Sequence, residues 1–438
     1  METRNETLPR TGGRTPPRAA GSKRILICGL TLVLIAGGST SHADTPAPLT
    51  MDEAVTAAEQ RDPTVSRYQA MASAEREAAI SAASLPDPQL SAGVMGLPAD
   101  SFALNESDMT QLVLGVRQAF PSGRAEAGEQ RNERARVKHA QARNAEREVR
   151  RQTRGAFLGR YLREQELDIL DTYRPHFEEL LESAERAVAV GQASRQERLQ
   201  AELALERLDD RIQDAHTEME TAQAELVRLV GQEVARRPLA DAMPALELPN
   251  ARNQIGVGNH PRLEVEAARI GVGQAREREA RAAYRPDWSL EVSYGARRGQ
   301  GMDGSTAPDL LSAMVMVELP LFAGNRQDRD LAASRYQVNA AQDMLRDTRY
   351  ELEESLAKVD ARQERLSQRI DRYVDVIQEL ASENAEAALS GYSSRTVEFV
   401  ALHQARITEL DARLDVLRLQ VQEREARADL LYLLGDPE

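Results

Sequence analysis

This chain has almost no thiol chemistry available to it. Its 438 residues include a single cysteine, Cys28, so no intrachain disulfide can form. Aromatic residues make up only 4% of it, few for a chain stabilised by one deep mixed core. The stretch 325–390 contains neither proline nor glycine. There is no Gly-x-Ser-x-Gly, no phosphate loop and no dinucleotide fingerprint. His139, His176, His216, His260 and His403 show no spacing suited to a shared metal ion. The expectation is a protein that is not an enzyme and that holds no cofactor and no resident metal.

Net positive charge is also lacking. The chain carries a formal charge of −14, and residues 1–43 hold six basic and two acidic side chains, leaving the remainder at −18. Nucleic acid is therefore excluded as a partner, since it demands a basic surface.

The basic side chains of the first segment (Arg4, Arg10, Arg14, Arg18, Lys23 and Arg24) precede an apolar run at 25–38 and the small-residue site Ser41-His42-Ala43. That order predicts a secretory signal peptide over 1–43. The apolar run is shorter than the roughly 20 residues needed to span a bilayer. Cys28 lies near the start of the run, where lipidation does not occur.

What is abundant is helix-forming sequence: 29% of residues are charged and Ala, Glu, Arg, Leu and Gln dominate. In 325–390 the apolar positions Leu352, Leu356, Val359, Leu366, Ile370, Tyr373, Ile377 and Leu380, with Gln363 in the gap, follow a 3.5-residue repeat. A continuous helix there would be about 100 Å long. Ile407, Leu410, Leu414, Leu417 and Val421 share the rhythm and are the expected partner face. In the first half, Thr50-Met51-Asp52-Glu53 reads as a capping box. A long helical pattern follows 121, with a kink expected at Pro175. Gly191-Gln192-Ala193-Ser194 reads as a tight turn.

Four short stretches break the helical period. Alternation at about 88–97, 110–120, 286–296 and 311–322 predicts strands. Trp288, Leu290, Val292 and Tyr294 share one face, with Ser289, Glu291, Ser293 and Gly295 on the other. Such alternation suits a soluble half-buried sheet or a transmembrane β-barrel. The export signal and the helix lengths favour the barrel, with those four apolar residues facing lipid.

The landmarks recur. Pro63 is matched by Pro261, Pro86-Asp87 by Pro286-Asp287, Gly123 by Gly324, and Tyr173 by Tyr373. Gly191 with Ser194-Arg195 is matched by Gly391 with Ser394-Arg395, and Gly231 by Gly435. The chain is thus internally duplicated: 44–240, with a helical hairpin over 121–231, and 241–438, with a second over 325–435. Four strands cannot close a barrel, and an open edge in lipid is prohibitive. Several copies must share one barrel, and three would give twelve strands.

The stretch Val317-Glu318-Leu319-Pro320-Leu321-Phe322-Ala323-Gly324-Asn325-Arg326, the opening Leu49-Thr50-Met51-Asp52-Glu53-Ala54 and the closing Leu433-Leu434-Gly435 resemble the outer-membrane efflux proteins of the TolC type. The resemblance covers the chain beyond the signal. It implies a mainly α fold with a small β part: long hairpins forming a periplasmic α-barrel, beneath a trimeric twelve-stranded outer-membrane β-barrel. It implies a passive duct, partnered by a periplasmic membrane-fusion adaptor and an inner-membrane efflux pump. The adaptor would dock at Val190, Gly191, Ser194, Arg195, Gly391, Ser394 and Arg395. Glu197, and Glu398 beside the position matching it, are tunnel-mouth acids by the same resemblance, or else ordinary first-turn acids. Leu85-Pro86-Asp87-Pro88-Gln89-Leu90 resembles the heavy-metal branch. Met95, Met109, Met302, Met314 and Met316 near the strands supply thioethers, which suit Cu(I) and also fill apolar gaps. The competing architecture is a periplasmic coiled-coil scaffold or adaptor without a barrel; the competing cargoes are drugs and polypeptides.

Overall fold

The structure is a computed structural model describing residues 47–249, 256–299 and 305–435. The expected signal at 1–43 and Met302 lie outside the described residues.

The first copy opens with α1 (Met51–Arg61), fixed by the capping box: Thr50 accepts the Glu53 amide and the Glu53 carboxylate accepts the Thr50 amide. Next comes α2 (Pro63–Ala83), with Pro63 at its first turn and Asp62 as N-cap. Strands β1 (Gln89–Met95) and β2 (Gln111–Phe120) follow. The hairpin of α3 (Arg124–Ala189) and α4 (Arg195–Val230) then leads to a short α5 (Gln232–Ala235). The second half repeats this order from α2 onward, with α6 (Pro261–Ala282), β3 (Asp287–Arg297) and β4 (Leu310–Glu318). Its descending helix comes in three parts: α7 (Gln327–Arg372), a π-helical turn (Tyr373–Ile377) and α8 (Gln378–Ser393). The returning helix is α9 (Phe399–Leu434).

The strands form one antiparallel sheet in chain order, β1-β2-β3-β4. Val116 lies between Leu90 and Val292, and Leu290 between Gln118 and Val315. Among the described residues, both outer strands, β1 and β4, keep an open edge.

The helices pack along their length in successive clusters. Near the middle of the chain's path, Leu49, Phe157, Leu158, Leu226, Val421 and Leu431 join α1, α3, α4 and α9. Further along, Leu170, Tyr173, Phe177, Leu208, Ile212, Leu410 and Leu414 tie α9 to the first hairpin. Leu180, Ala201, Phe399 and Leu402 close the far end.

Helix α3 is continuous for 66 residues with Pro175 inside it. One helical expectation changes. The expected unbroken helix of the second copy instead holds the π turn, and the seam shifts there. Up to Leu366 the expected positions are buried or half-buried, but Leu380 is 58% exposed, and Ala381 and Ala385 are buried in its place. A π turn holds one extra residue, and one residue rotates a helix face by about 100°. The segment 327–393 is one residue longer than α3, so the π turn absorbs that residue.

The expected partner face of α9 is also reassigned. Leu410, Leu414 and Val421 pack on the first hairpin, whereas Leu366 of α7 meets Leu419 and Ala426, and Leu352 meets Leu433. Helix α9 is buried on several sides, so its 3-4 rhythm marks one of two contact stripes.

Candidate functional site

Three regions bear on a duct: the hairpin ends, the charged shaft and the sheet.

At the first hairpin end, Gly191 takes φ +73°, the left-handed region. Its amide donates to Val188 O at 3.0 Å and that of Gln192 donates to Ala187 O at 2.8 Å. That pair of bonds is a Schellman motif. Ser194 then caps α4, accepting the Glu197 amide at 3.2 Å.

The second end uses the same motif four residues later than the sequence landmarks suggest. Arg395 is the left-handed residue, φ +64°. Its amide donates to Tyr392 O at 3.0 Å, and that of Thr396 donates to Gly391 O at 2.8 Å. Gly391 therefore lies in the last turn of α8 rather than in the turn itself. A Cβ there would stand 2.4 Å from Val397 Cγ2; close approach, and not positive φ, requires the glycine. Arg395 is the structural counterpart of Gly191, and Glu398, the N-cap residue of α9, is the counterpart of Ser194. Sequence matching paired Gly191 with Gly391 because identity was the only guide. The 36-residue lengths of α4 and α9, each ending at a capping glycine, carry the correct offset.

The two ends meet. Arg395 donates to the Gln192 side-chain oxygen. Between them lies a cleft of about 490 Å³, lined among others by Val190, Gln192, Glu197, Tyr392, Arg395 and Glu398. Val190 is 65% exposed. Tyr392 stacks edge-on to Phe399, and burial, aided by the charge of Glu197, raises its phenol above the ordinary range. Of the residues expected here, Val190, Arg395, Glu197 and Glu398 line one cleft, and Gly391 supports it from within. Gln192 and Tyr392 fall within the stretches expected at the two turns, 190–195 and 390–396, but nothing in the sequence singled them out.

Along the shaft, buried acids are each held by arginines. Glu166, under Arg163 at 2.6 Å and Arg418 at 2.7 Å, bridges α3 to α9. Glu409 pairs with Arg406 at 2.9 Å and accepts from Ser382 at 3.3 Å, across the α8–α9 contact. Glu423 takes Arg424 at 2.6 Å, Arg427 at 2.5 Å and the Gln363 amide at 2.9 Å. Beside Glu409, burial and that carboxylate push the Tyr173 phenol up to about 12. Among the described residues, no group of three or more metal-ligating side chains converges.

In the sheet, Trp288, Leu290, Val292 and Tyr294 are 38–49% exposed on one face. Leu90, Leu114, Val116, Leu311, Val315 and Val317 share that face by register. Phe120 stacks on Trp288 at 4.0 Å between centroids. The opposite face carries Ser91, Arg117, Ser289, Glu291, Ser293, Met314 and Met316. Arg117 donates there to Ser289 Oγ at 3.2 Å and lies 3.6 Å from the Met316 sulfur. No described helix is long and apolar enough to cross a membrane.

Residues 254–436, almost the whole second copy, match the family of outer membrane efflux proteins. The first copy lies outside the match, but shared architecture extends to it. A membrane protein from Pseudomonas aeruginosa is 16% identical, with a TM-score of 0.76 over 89% of this chain and 91% of its own. The outer-membrane protein VceC from Vibrio cholerae is 17% identical, with a TM-score of 0.71 over 88% and 96%. CusC, whose structures concern folding and transmembrane channel formation, is 14% identical, with a TM-score of 0.74 over 88% and 92%. No curated protein sequence matches the chain. The TolC-like fold is thus shared with solved outer-membrane channels along nearly all of the chain. These structures include outer-membrane channels, and the likeness is one of fold.

Proposed function

We propose that this protein is the passive exit duct of a tripartite efflux system. Three copies form a twelve-stranded barrel above a helical tunnel, and the cargo is heavy-metal cations. The observation that carries the assembly is the sheet with two open edges, β1 and β4. In lipid such edges must be paired, and pairing β4 of one copy with β1 of the next closes the ring. Trp288, Leu290, Val292 and Tyr294 then face lipid, and the Ser91–Glu291–Met314 face lines the lumen.

Residues 1–43 direct export, and 44–240 and 241–438 are the two structural repeats. A periplasmic membrane-fusion adaptor, carrying substrate from an inner-membrane pump, docks on the hairpin ends. The surfaces are 190–195 and 394–398, the second moved from Gly391 to the Arg395 turn. Glu197 and Glu398, both lining the cleft, set an acidic rim at the tunnel mouth.

The cargo reading rests on Met95, Met314 and Met316. All three share the sheet face opposite Trp288, where polar residues are the norm for a lumen. Thioethers there suit soft cations such as Cu(I) and Ag(I). The test is deletion of the gene, with complementation. Loss should sensitise cells to copper or silver ions, and the protein should fractionate with the outer membrane as a heat-dissociable trimer. Sensitivity to organic drugs alone would overturn the cargo; a soluble periplasmic protein would overturn the duct.

A further inference from the structure

Where the sheet gives way to the helices there is a second cleft, of about 410 Å³. It lies between the ends of β4 and α6 and the starts of β3, α3 and α7. Its wall includes Arg285, Asp287, Glu318, Leu321, Arg326 and Gln327.

Four observations single it out. First, Gln327 is only 9% exposed, and its side-chain oxygen has no hydrogen-bond partner. A buried acceptor without a donor costs about 1–3 kcal/mol. Second, the cations of the cleft are unequally engaged. Arg124 donates to the carbonyls of Pro121 and Ala83 at 3.1 and 3.4 Å. Arg285 pairs with Glu126 at 3.0 Å. Arg326 is exposed and has no side-chain ion pair among the described residues. It stands at the start of α7, whose N-terminus has no side-chain cap. Third, Leu319 and Leu321 continue the odd-numbered apolar face of Val315 and Val317 past the end of β4. They are 57% and 75% exposed, and Phe322 beside them is 85% exposed. Fourth, the Phe120–Trp288 stack marks the rim of the sheet just above the cleft. Aromatic side chains gather at the headgroup level of a membrane.

We infer that this cleft binds the headgroup of a zwitterionic phospholipid, phosphatidylethanolamine, from the periplasmic leaflet of the outer membrane. Arg326 and the open N-terminus of α7 take the phosphate. The ammonium donates to the Gln327 oxygen and lies near Glu318. Leu321 and Phe322 reach into the acyl region. An anionic lipid without an ammonium leaves the Gln327 oxygen unsatisfied and brings a net negative charge toward Glu279, Asp287 and Glu318, which also line the cleft.

The inference rests on the outer-membrane placement used above, so the test reads both. The full protein is extracted from outer membranes, stripped of lipid and offered vesicles of phosphatidylethanolamine or of phosphatidylglycerol. Native mass spectrometry counts retained lipid and subunits together. Phosphatidylethanolamine should be retained over phosphatidylglycerol by about tenfold. Arg326→Gln and Gln327→Leu should each reduce that retention several-fold while leaving the subunit count unchanged. Equal retention of the two lipids, or retention like the unaltered protein's in both variants, would overturn the headgroup assignment and leave the duct standing. Absence from the outer-membrane fraction would overturn both.

Discussion

The two copies share an element order but carry it differently. Helices α4 and α9 are both 36 residues long and both end at a glycine with positive φ. Yet α4 buries 8 of its residues and α9 buries 18. The first hairpin and α7 both lean on α9, which is the central strut of the protomer. Helix α8 is the reverse case: apart from the π turn it continues, it packs on α9 alone among the described elements. The two hairpins are similar in length, but packing makes one helix of the second interior and leaves another on a single support.

The strongest way to break this comparison is to delete one residue from each descending helix. Removing Asp171 from the regular α3 rotates everything beyond it by about 100°. Phe177, Leu180 and Ala184, all buried, leave their two clusters together. Each large side chain lost from a core costs about 2–5 kcal/mol, so the far half of the hairpin should lose protease resistance. Removing Val376 from the π turn should do little. That residue is 46% exposed, and its loss turns the π turn into regular helix while keeping Ala381 and Ala385 in phase. Limited proteolysis of the purified proteins compares them. Equal damage from both deletions would show that the π turn is more than an absorbed residue.

The next contrast lies between the return helices. Leu414, 1% exposed, sits among Leu170, Tyr173 and Phe177 of the first hairpin. Leu414→Ala should cost about 2–5 kcal/mol. Leu203 on α4 is 50% exposed, and Leu203→Ala should stay within about 0.5 kcal/mol in the isolated protomer. If assembly covers that face of α4, the Leu203 variant lowers trimer stability instead. Thermal melts and heat-dissociation gels on the same samples separate these effects.

A third contrast concerns the matching N-caps of α2 and α6. Asp62 Oδ1 accepts the Thr64 amide at 2.6 Å, and His260 Nδ1 accepts the Arg262 amide at 3.1 Å. Both caps precede a proline. The imidazole must be neutral to accept, and burial, with the charges of Arg147 and Arg262, pushes its pKa down to about 4. The unfolded chain protonates this histidine near pH 6.5. Its contribution is therefore present above about pH 6.5 and is lost as pH falls toward 4, by at most about 3 kcal/mol. Denaturant midpoints measured from pH 7 to 4 should fall less steeply in His260→Asn, which keeps a capping side chain without the titration.

The sheet was legible in the sequence because alternation is a period-2 signal that little else produces. The helices were legible in extent but not in phase. A 3.5-residue repeat continues smoothly across the π turn on paper, so Leu380 reads as seam when Ala381 is buried. The hairpin turn of the second copy was misplaced for a related reason. Gly391 looks like the turn glycine because Gly191 is one, but the backbone reverses at Arg395. Local identity outweighed the better guide, the constant length of the return helix. The joint cleft is not legible in the sequence because its residues come from four segments distant in sequence.

The smallest contrast tests that reassignment. At Gly191 and Arg395 the same left-handed position is occupied by different residues, φ +73° and +64°. A side chain there costs about 1 kcal/mol relative to glycine. No atom lies within 4 Å of a Cβ placed on Gly191, so Gly191→Ala should destabilise through backbone strain alone, by about 1 kcal/mol. Arg395→Gly should relieve a similar strain but remove the contact to Gln192, an exposed pair that contributes about 0.5–1.5 kcal/mol. The two terms nearly cancel in stability and separate in the double variant. With Gln192→Ala already present, Arg395→Gly should become stabilising by close to the full strain. If the change is as unfavourable with Gln192 removed as with it present, Arg395 is held by something other than the opposite hairpin end, and the link across the cleft is not what retains an arginine where glycine fits.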